Sequence, residues 1–145
     1  MSRELITLSN KNSIKYYGHE NYRNSFQNKK VSLDLTNFKN IKGLSTLTNV
    51  YELNLRSCTK IKNVNELICV HTLNLSDCYN IRDVNSLGWL AYSKTGRTHK
   101  LIICDCKKIK NIAGLWRVKK LIMHGCKNIK DVGNLRELFE LSLST

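Results

Sequence analysis

One spacing recurs along most of this 145-residue chain: seven apolar positions form a unit that returns at regular intervals. In the copy centred on Cys78 the seven residues are Val70, Leu73, Leu75, Cys78, Ile81, Val84 and Leu87. The central positions of five successive copies are Phe38, Cys58, Cys78, Cys106 and Cys126, and a sixth copy begins with Leu138, Leu141 and Leu143. Only Lys30 and Thr98 interrupt the apolar pattern, which a hydrophobic content of 41% does not produce by chance. The chain is therefore an array of repeats that bury a shared core by stacking.

The interval between the third and fourth copies is longer than the others. The step from Cys78 to Cys106 exceeds the step from Cys58 to Cys78, whereas the remaining steps are all equal. The extra residues fall within the stretch GWLAYSKTGRTHK, between Leu87 and Leu101. Because its Gly, Ser and Thr are typical of exposed connections, the sequence predicts a surface insertion around residues 88–97.

Each unit has two kinds of local pattern. The step from Leu73 to Leu75 alternates between apolar and polar residues, which is typical of a β-strand. The steps from Ile81 through Val84 to Leu87 have a period of three, which favours a tight 3₁₀-like or extended return. The step from one central position to the next, such as Cys58 to Cys78, is too short for a strand, two turns and a long helix. We therefore expect little α-helix in the array.

The unit resembles the leucine-rich repeat motif L-x-x-L-x-L-x-x-N/C-x-L, with Leu73, Leu75, Cys78 and Ile81 at the matching positions. The resemblance covers about residues 30–145, and the tail C-x-x-I-x-D-V-x-x-L is similar to short arrays of large DNA viruses of amoebae, protists and bacteria. It implies an α/β solenoid that is mostly β: an arc with a parallel sheet on its concave face and short 3₁₀ or extended returns on its convex face. Five repeats and a truncated sixth would form residues 30–145, and the concave side of such arcs commonly binds a protein.

A cysteine at the centre of a repeat could be a nucleophile, a metal ligand, half of a disulfide or a small buried hydrophobe. The start of the chain, MSRELITLSNKNSIKYY, has no apolar run typical of a signal peptide, and no segment has the length of a membrane span. We therefore expect a cytoplasmic protein (in the host cell, if viral) with no membrane partner, and disulfides are not expected there. The resemblance implies that the central position points inward, and Phe38 at the same position argues against catalysis. We predict a structural cysteine ladder formed by Cys58, Cys78, Cys106 and Cys126.

Two further residues, Cys104 and His124, are predicted to be neighbours on adjacent strands. A zinc site needs three or four ligands, and a Cys–His nucleophile pair needs an orienting group and an oxyanion hole. Neither set is visible, and no phosphate-binding, metalloprotease or hydrolase motif occurs in the chain. We therefore predict a protein that is not an enzyme and that holds no metal or cofactor.

The strand residues that alternate with the inward leucines are candidates for contact with a partner protein. They are Glu52, Asn54, Arg56, Asn74, Lys100, Ile102, Cys104, Lys120, Ile122 and His124. Ile102 and Ile122 stand side by side between lysines, as expected either of a modest binding patch or of strand propensity alone. The leading prediction is a non-catalytic interaction module that binds an unidentified protein, and the basic charge of the chain would suit an acidic one.

A second surface is defined by the cation that follows each central position by four residues. This basic ridge consists of Lys42, Lys62, Arg82, Lys110 and Lys130. The whole chain has a formal net charge of +13. The basic ridge therefore predicts either a solvated edge or, as the alternative function, the binding of nucleic acid or another polyanion. An AT-rich coding sequence would also raise the lysine content without selection for a ligand.

The two ends of the chain lie outside the regular pattern. Residues 1–29 lack the repeat and are predicted to form an N-terminal cap or mobile extension, in which LITL could add an edge strand. The other end, ELFELSLST, stops just after a predicted strand. Because an uncapped parallel edge can pair with another chain, a dimer through this edge is one expectation, and a fragment of a longer array is the other.

Overall fold

A computed structural model of the chain describes residues 3–144, apart from 49, 68, 89–99, 134 and 137. The insertion predicted around residues 88–97 therefore lies, beyond Gly88, outside the described residues. Among the described residues, no helix is long and apolar enough to cross a membrane.

The described part of the chain is organised around one sheet. Its strands, β1 to β7, are Leu5–Leu8, Lys30–Asp34, Glu52–Asn54, Thr72–Asn74, Lys100–Ile102, Lys120–His124 and Glu140–Ser144. They lie side by side in chain order, and every neighbouring pair is parallel. Two helices, α1 (Asn10–Gly18) and α2 (Glu20–Asn24), connect β1 to β2. The prediction of a mostly β chain built on a parallel sheet is confirmed.

The register of the sheet follows the repeat. Leu53 pairs with Leu73, and Leu73 pairs with Leu101 although the second of these intervals contains the insertion. The insertion therefore leaves the stacking of the strands unchanged. The leucines and isoleucines of successive repeats form one buried cluster, closed by 3₁₀ turns at Ser45–Leu47, Asn85–Gly88 and Ala113–Leu115. A period of three in the sequence thus becomes a tight return in three of the repeats.

A left-handed residue ends the strand segment of each of the five repeats. Asn37, Ser57, Asp77, Asp105 and Gly125, each just before a central position, have φ angles between 56° and 67°. Asn, Asp and Gly tolerate this conformation better than other residues, because glycine has no Cβ and Asn or Asp can bond locally. Ser57 is the poorest match of the five.

We expect that Ser57→Asn raises the free energy of unfolding by about 0.5–1 kcal/mol, because it places the residue type of the first repeat at this left-handed position. Urea unfolding measures the change. Ser57→Val is the matched control, since a β-branched side chain is poorly accommodated there. Equal stability of the two variants would contradict a requirement for left-handed backbone in this turn.

The N-terminal segment covers the first repeat. The Ser13 hydroxyl, buried in α1, donates to the Leu8 carbonyl at 3.2 Å and accepts the Asp34 backbone N–H at 2.9 Å. The Tyr17 hydroxyl accepts the Lys42 backbone N–H at 2.9 Å and donates to the Gly43 carbonyl, also at 2.9 Å. These bonds tie β1 and α1 to the strand and to the return of the first repeat. The division of the chain at residues 29 and 30 stays a prediction.

The C-terminal edge is more exposed than the rest of the array. Phe139 is 84% exposed. Leu141, Leu143 and Val132 are also exposed, although the counterparts of these three residues in earlier repeats are buried. This difference arises because β7 pairs only with β6, and no further coil covers it within the described residues. Dimerisation through this edge stays a prediction.

Candidate functional site

The four ladder cysteines share one hydrogen-bond geometry. Each thiol donates to the carbonyl of the residue directly after the strand of the preceding repeat, at 2.8–3.1 Å. The acceptors are the carbonyls of Leu35, Leu55, Leu75 and Ile103. Three of the thiols are fully buried, whereas Cys126 is half-buried beside the exposed C-terminal coil. The thiols therefore link each repeat to its predecessor.

Burial also controls the acidity of these thiols. It raises the pKa of Cys78 from its ordinary value of 9.0 to about 12, with a further contribution from the neighbouring Cys58. Burial likewise raises the pKa of Cys58, Cys106 and Cys126. Because the thiolate is the nucleophile and the metal ligand, a thiol held in its protonated form is poorly suited to either role.

Metal ligands do not converge in the part of the chain that the structure describes. It contains no group of three or more His, Cys, Asp or Glu side chains placed to hold a metal ion. Cys69 and Cys104 are free and half-buried, outside the ladder. His124 lies next to Ser142, with its Nε2 3.4 Å from the serine hydroxyl.

The open face of the sheet, formed by the strand residues that alternate with the buried leucines, carries a repeated cap at the end of each early strand. Side-chain oxygens of Asp34, Asn54 and Asn74 each accept the backbone N–H two residues further on, at 3.0–3.1 Å. Asn54 and Asn74, which the sequence marks as candidate contacts, therefore use their amide oxygens within their own turns. This capping role was not predicted, although an Asp or Asn at the same position of three repeats is a usable signal for it.

Two of the charged candidates form ion pairs with residues of the next repeat. Arg56 donates to Asp77 of the next repeat at 3.0 Å, and Lys120 contacts Glu140 at 2.6 Å. Both pairs are partly exposed, so their contribution to stability is small. Glu52 and Lys100 are half-buried at the same face, and the register aligns Lys100 with Lys120.

The fourth and fifth repeats break the capping rule. Ile102 and Ile122 occupy the positions of Asp34, Asn54 and Asn74, and they are register partners on β5 and β6. A hydrocarbon side chain has no oxygen to accept the backbone N–H, so these two strands lack the side-chain cap. Both isoleucines are half-buried. The group formed by Lys100, Ile102, Cys104, Lys120, Ile122 and His124 is called the isoleucine patch.

The basic ridge is exposed at all five of its positions. Among the described residues, the ion pairs join Arg56 to Asp77 and Lys120 to Glu140, and neither pair includes a ridge cation. The residue after the ridge cation is Asn63, Asp83, Asn111 or Asp131 in four of the repeats, and its side-chain oxygen accepts a backbone N–H at 2.7–2.8 Å. The acceptor groups beside the ridge are thus occupied locally, while its donors face outward.

Comparisons of the chain with protein-family models, with curated proteins and with solved structures found no match. The resemblance to leucine-rich repeats therefore stays a prediction from the repeat itself. Two surfaces remain as candidates for function: the isoleucine patch and the basic ridge.

Proposed function

We propose that this chain is a leucine-rich repeat arc that acts as a non-catalytic interaction module in the cytoplasm, binding a partner protein through the isoleucine patch on the concave side of its sheet. The observation that carries the proposal is the replacement of the strand-end cap by isoleucine at two adjacent positions, 102 and 122.

The cost of this replacement favours a role in binding. A side-chain bond to an exposed backbone group is worth about 0.5–1.5 kcal/mol, and the fourth and fifth repeats both forgo it. Positions where a chain departs from its own local rule are expected to be functional or strained sites. The strand propensity of isoleucine is another explanation for these two residues. The two explanations predict different effects of an Ile→Asn substitution on partner binding.

The surroundings of the two isoleucines indicate the kind of partner. An apolar centre with a polar rim is the common arrangement of protein interfaces. Here the rim contains Lys100 and Lys120, which lie next to each other in the sheet. Complementary charge on a partner would speed its association, so an acidic protein fits this patch best.

We expect that the double variant Ile102→Asn/Ile122→Asn loses partner binding while the protein remains at least as stable as the wild type. Each Asn would restore the cap seen at Asn54 and Asn74, and the apolar centre of the interface would disappear. Loss of two central contacts weakens binding by about 2 kcal/mol or more, or about thirtyfold. Affinity capture with quantitative mass spectrometry identifies the partner, and calorimetry with that partner measures the loss.

The matched control is Asn54→Ile, which removes a cap two strands away from Ile102. It should lower the free energy of unfolding by about 1 kcal/mol and leave partner binding unchanged. Recovery of the same partner at the same level with the double variant would contradict the proposal. Substrate turnover that is abolished by a change at Cys104 or His124 would contradict a non-catalytic role.

The basic ridge supports a second candidate function, the binding of a polyanion. The specific observation is that its cations are exposed and take no part in the ion pairs between described residues.

A further inference from the structure

Two cations of the basic ridge and two further cations surround one groove. Four cations, Arg82, Lys107, Lys108 and Lys110, line an open cavity of about 620 Å³ together with Asp83, Asn85, Asn111 and Asn128. These residues come from the third, fourth and fifth repeats. The groove therefore exists only because the repeats stack, and a single repeat does not contain it.

Three of the residues that line this groove use their side-chain oxygens to accept backbone N–H groups. The Asp83 carboxylate accepts the Asn85 backbone N–H at 2.8 Å, and the Asn85 side-chain oxygen accepts the Gly114 backbone N–H at 2.7 Å. The Asn111 oxygen accepts the Ala113 backbone N–H, also at 2.7 Å. Because a backbone N–H bonds to the oxygen of an amide side chain, Asn85 and Asn111 have their amide nitrogens left to offer to a ligand. The groove thus presents mainly donors and positive charge, as an anion requires.

The backbone that carries the lysines is held in place before any ligand binds. The Asn128 amide donates to the Lys107 carbonyl at 2.5 Å, which fixes the turn of the fourth repeat. The Lys108 ammonium donates to the Asn80 side-chain oxygen at 2.7 Å, and the Asn80 amide donates to the Thr59 carbonyl at 2.7 Å. Groups that are ordered in advance lose less conformational entropy on binding.

We propose that this groove is the centre of a surface that binds duplex nucleic acid by its phosphate backbone, without reading the bases. The inference rests on the second candidate function, polyanion binding, and names its ligand class; it uses residues outside the isoleucine patch. The basic ridge continues from the groove to Lys42 on one side and Lys130 on the other. Four strand spacings of about 4.8 Å make the ridge about 20 Å long, which matches about six phosphates of one strand of B-form DNA.

Duplex nucleic acid fits this surface better than a single strand does. Proteins that bind single strands use exposed aromatic side chains on which the bases stack. Along the described part of the ridge, Tyr79 is the exposed aromatic residue, and its hydroxyl lies 3.5 Å from the Asp77 carboxylate. The ridge therefore offers charge for a backbone and little stacking surface for bases.

The test is fluorescence anisotropy with a labelled duplex of about 20 base pairs, over salt concentrations from about 50 to 300 mM. If the five ridge cations each neutralise one phosphate, the slope of log K against log salt is about −4.5. Arg82→Glu/Lys110→Glu is expected to make the slope about two units shallower and to weaken binding equally for unrelated sequences. Both residues are exposed, and a urea unfolding curve checks that the variant is folded.

The matched control is Lys11→Glu/Lys29→Glu, which changes the net charge equally at exposed residues outside the ridge. It should keep the wild-type slope, and so should Ile102→Asn/Ile122→Asn, which tests the isoleucine patch separately. Equal weakening by the control would show that net charge alone attracts the duplex and would overturn the proposal. Tighter binding of polyglutamate or of a single strand than of the duplex would overturn it as well.

Discussion

Raising the pH above 9 is expected to destabilise this protein steeply through its buried cysteine ladder. An unfolded thiol ionises near its ordinary pKa of 9.0, whereas burial raises the pKa of Cys78 in the folded chain to about 12. Between these two values the unfolded chain releases a proton that the folded chain retains. The free energy of unfolding therefore falls by about 1.4 kcal/mol per pH unit for this thiol, whose contribution is fully present below pH 9 and is lost as the pH approaches 12.

Other ladder thiols act in the same direction. Burial raises the pKa of Cys106, Cys58 and Cys126 as well, so their losses add to that of Cys78. A domain of this size has a total stability of about 5–15 kcal/mol, so the loss from Cys78 alone is a large fraction of that total. The effect is large because the ladder places several thiols next to each other in the core, away from water.

The measurement is a series of urea unfolding curves between pH 8 and pH 11, for the wild type and for Cys78→Ala. At pH 8 the variant should be less stable by about 1–2 kcal/mol, because it leaves a small void. Above pH 9 the difference in the free energy of unfolding should shrink by about 1.4 kcal/mol per pH unit, and the variant should become the more stable protein before pH 11. Every other residue is the same in both proteins, so the difference reports the contribution of Cys78. Curves that stay parallel would show that Cys78 ionises as readily in the folded chain as in the unfolded one.

The spacing of apolar residues was sufficient to predict the sheet. The repeat brings Leu53, Leu73 and Leu101 into register, because each unit can bury its apolar edge only against the next unit. The same spacing shows which side of a strand a residue occupies. It does not show what that residue bonds to, and for this reason Asn54 and Asn74 were predicted as contact residues although their oxygens cap their own turns.

The candidate site depends on details that periodicity does not carry. The charges of the basic ridge are visible in the sequence, but the bond between Lys108 and Asn80 depends on how two turns stack. The close approach of Gly88 and Gly114 is another such detail. The two glycines follow their central cysteines by different numbers of residues, so no comparison of repeats relates them. Only the stacking of the two returns brings them together.

Replacing Gly88 by alanine is expected to lower the free energy of unfolding by about 3 kcal/mol, the upper end of the usual range for overpacked sites. A Cβ atom at Gly88 would overlap the Gly114 carbonyl oxygen and lie 2.9 Å from the Leu115 Cα atom. A Cβ atom at Gly114 would lie 2.5 Å from the Asn85 Cβ atom and 2.8 Å from its carbonyl oxygen. Favourable carbon contacts lie at about 3.5–4.0 Å, and backbone atoms cannot rotate away as a long side chain can.

Gly43→Ala is the matched control, because a Cβ atom there meets nothing within 4 Å. That variant should be as stable as the wild type or slightly more stable, since alanine reduces the entropy of the unfolded chain. Gly88→Ala and Gly114→Ala should each be less stable, and their combination should cost less than the sum of the two, because one shift of the adjacent coils relieves both overlaps. Full additivity would mean that the two glycines do not share a contact. Stability of Gly88→Ala equal to that of Gly43→Ala would mean that the two returns do not meet there.

The Asn85 side chain bonds to the Gly114 backbone and also lines the groove that Arg82 and Lys110 border. A shift of these coils should therefore weaken duplex binding together with stability.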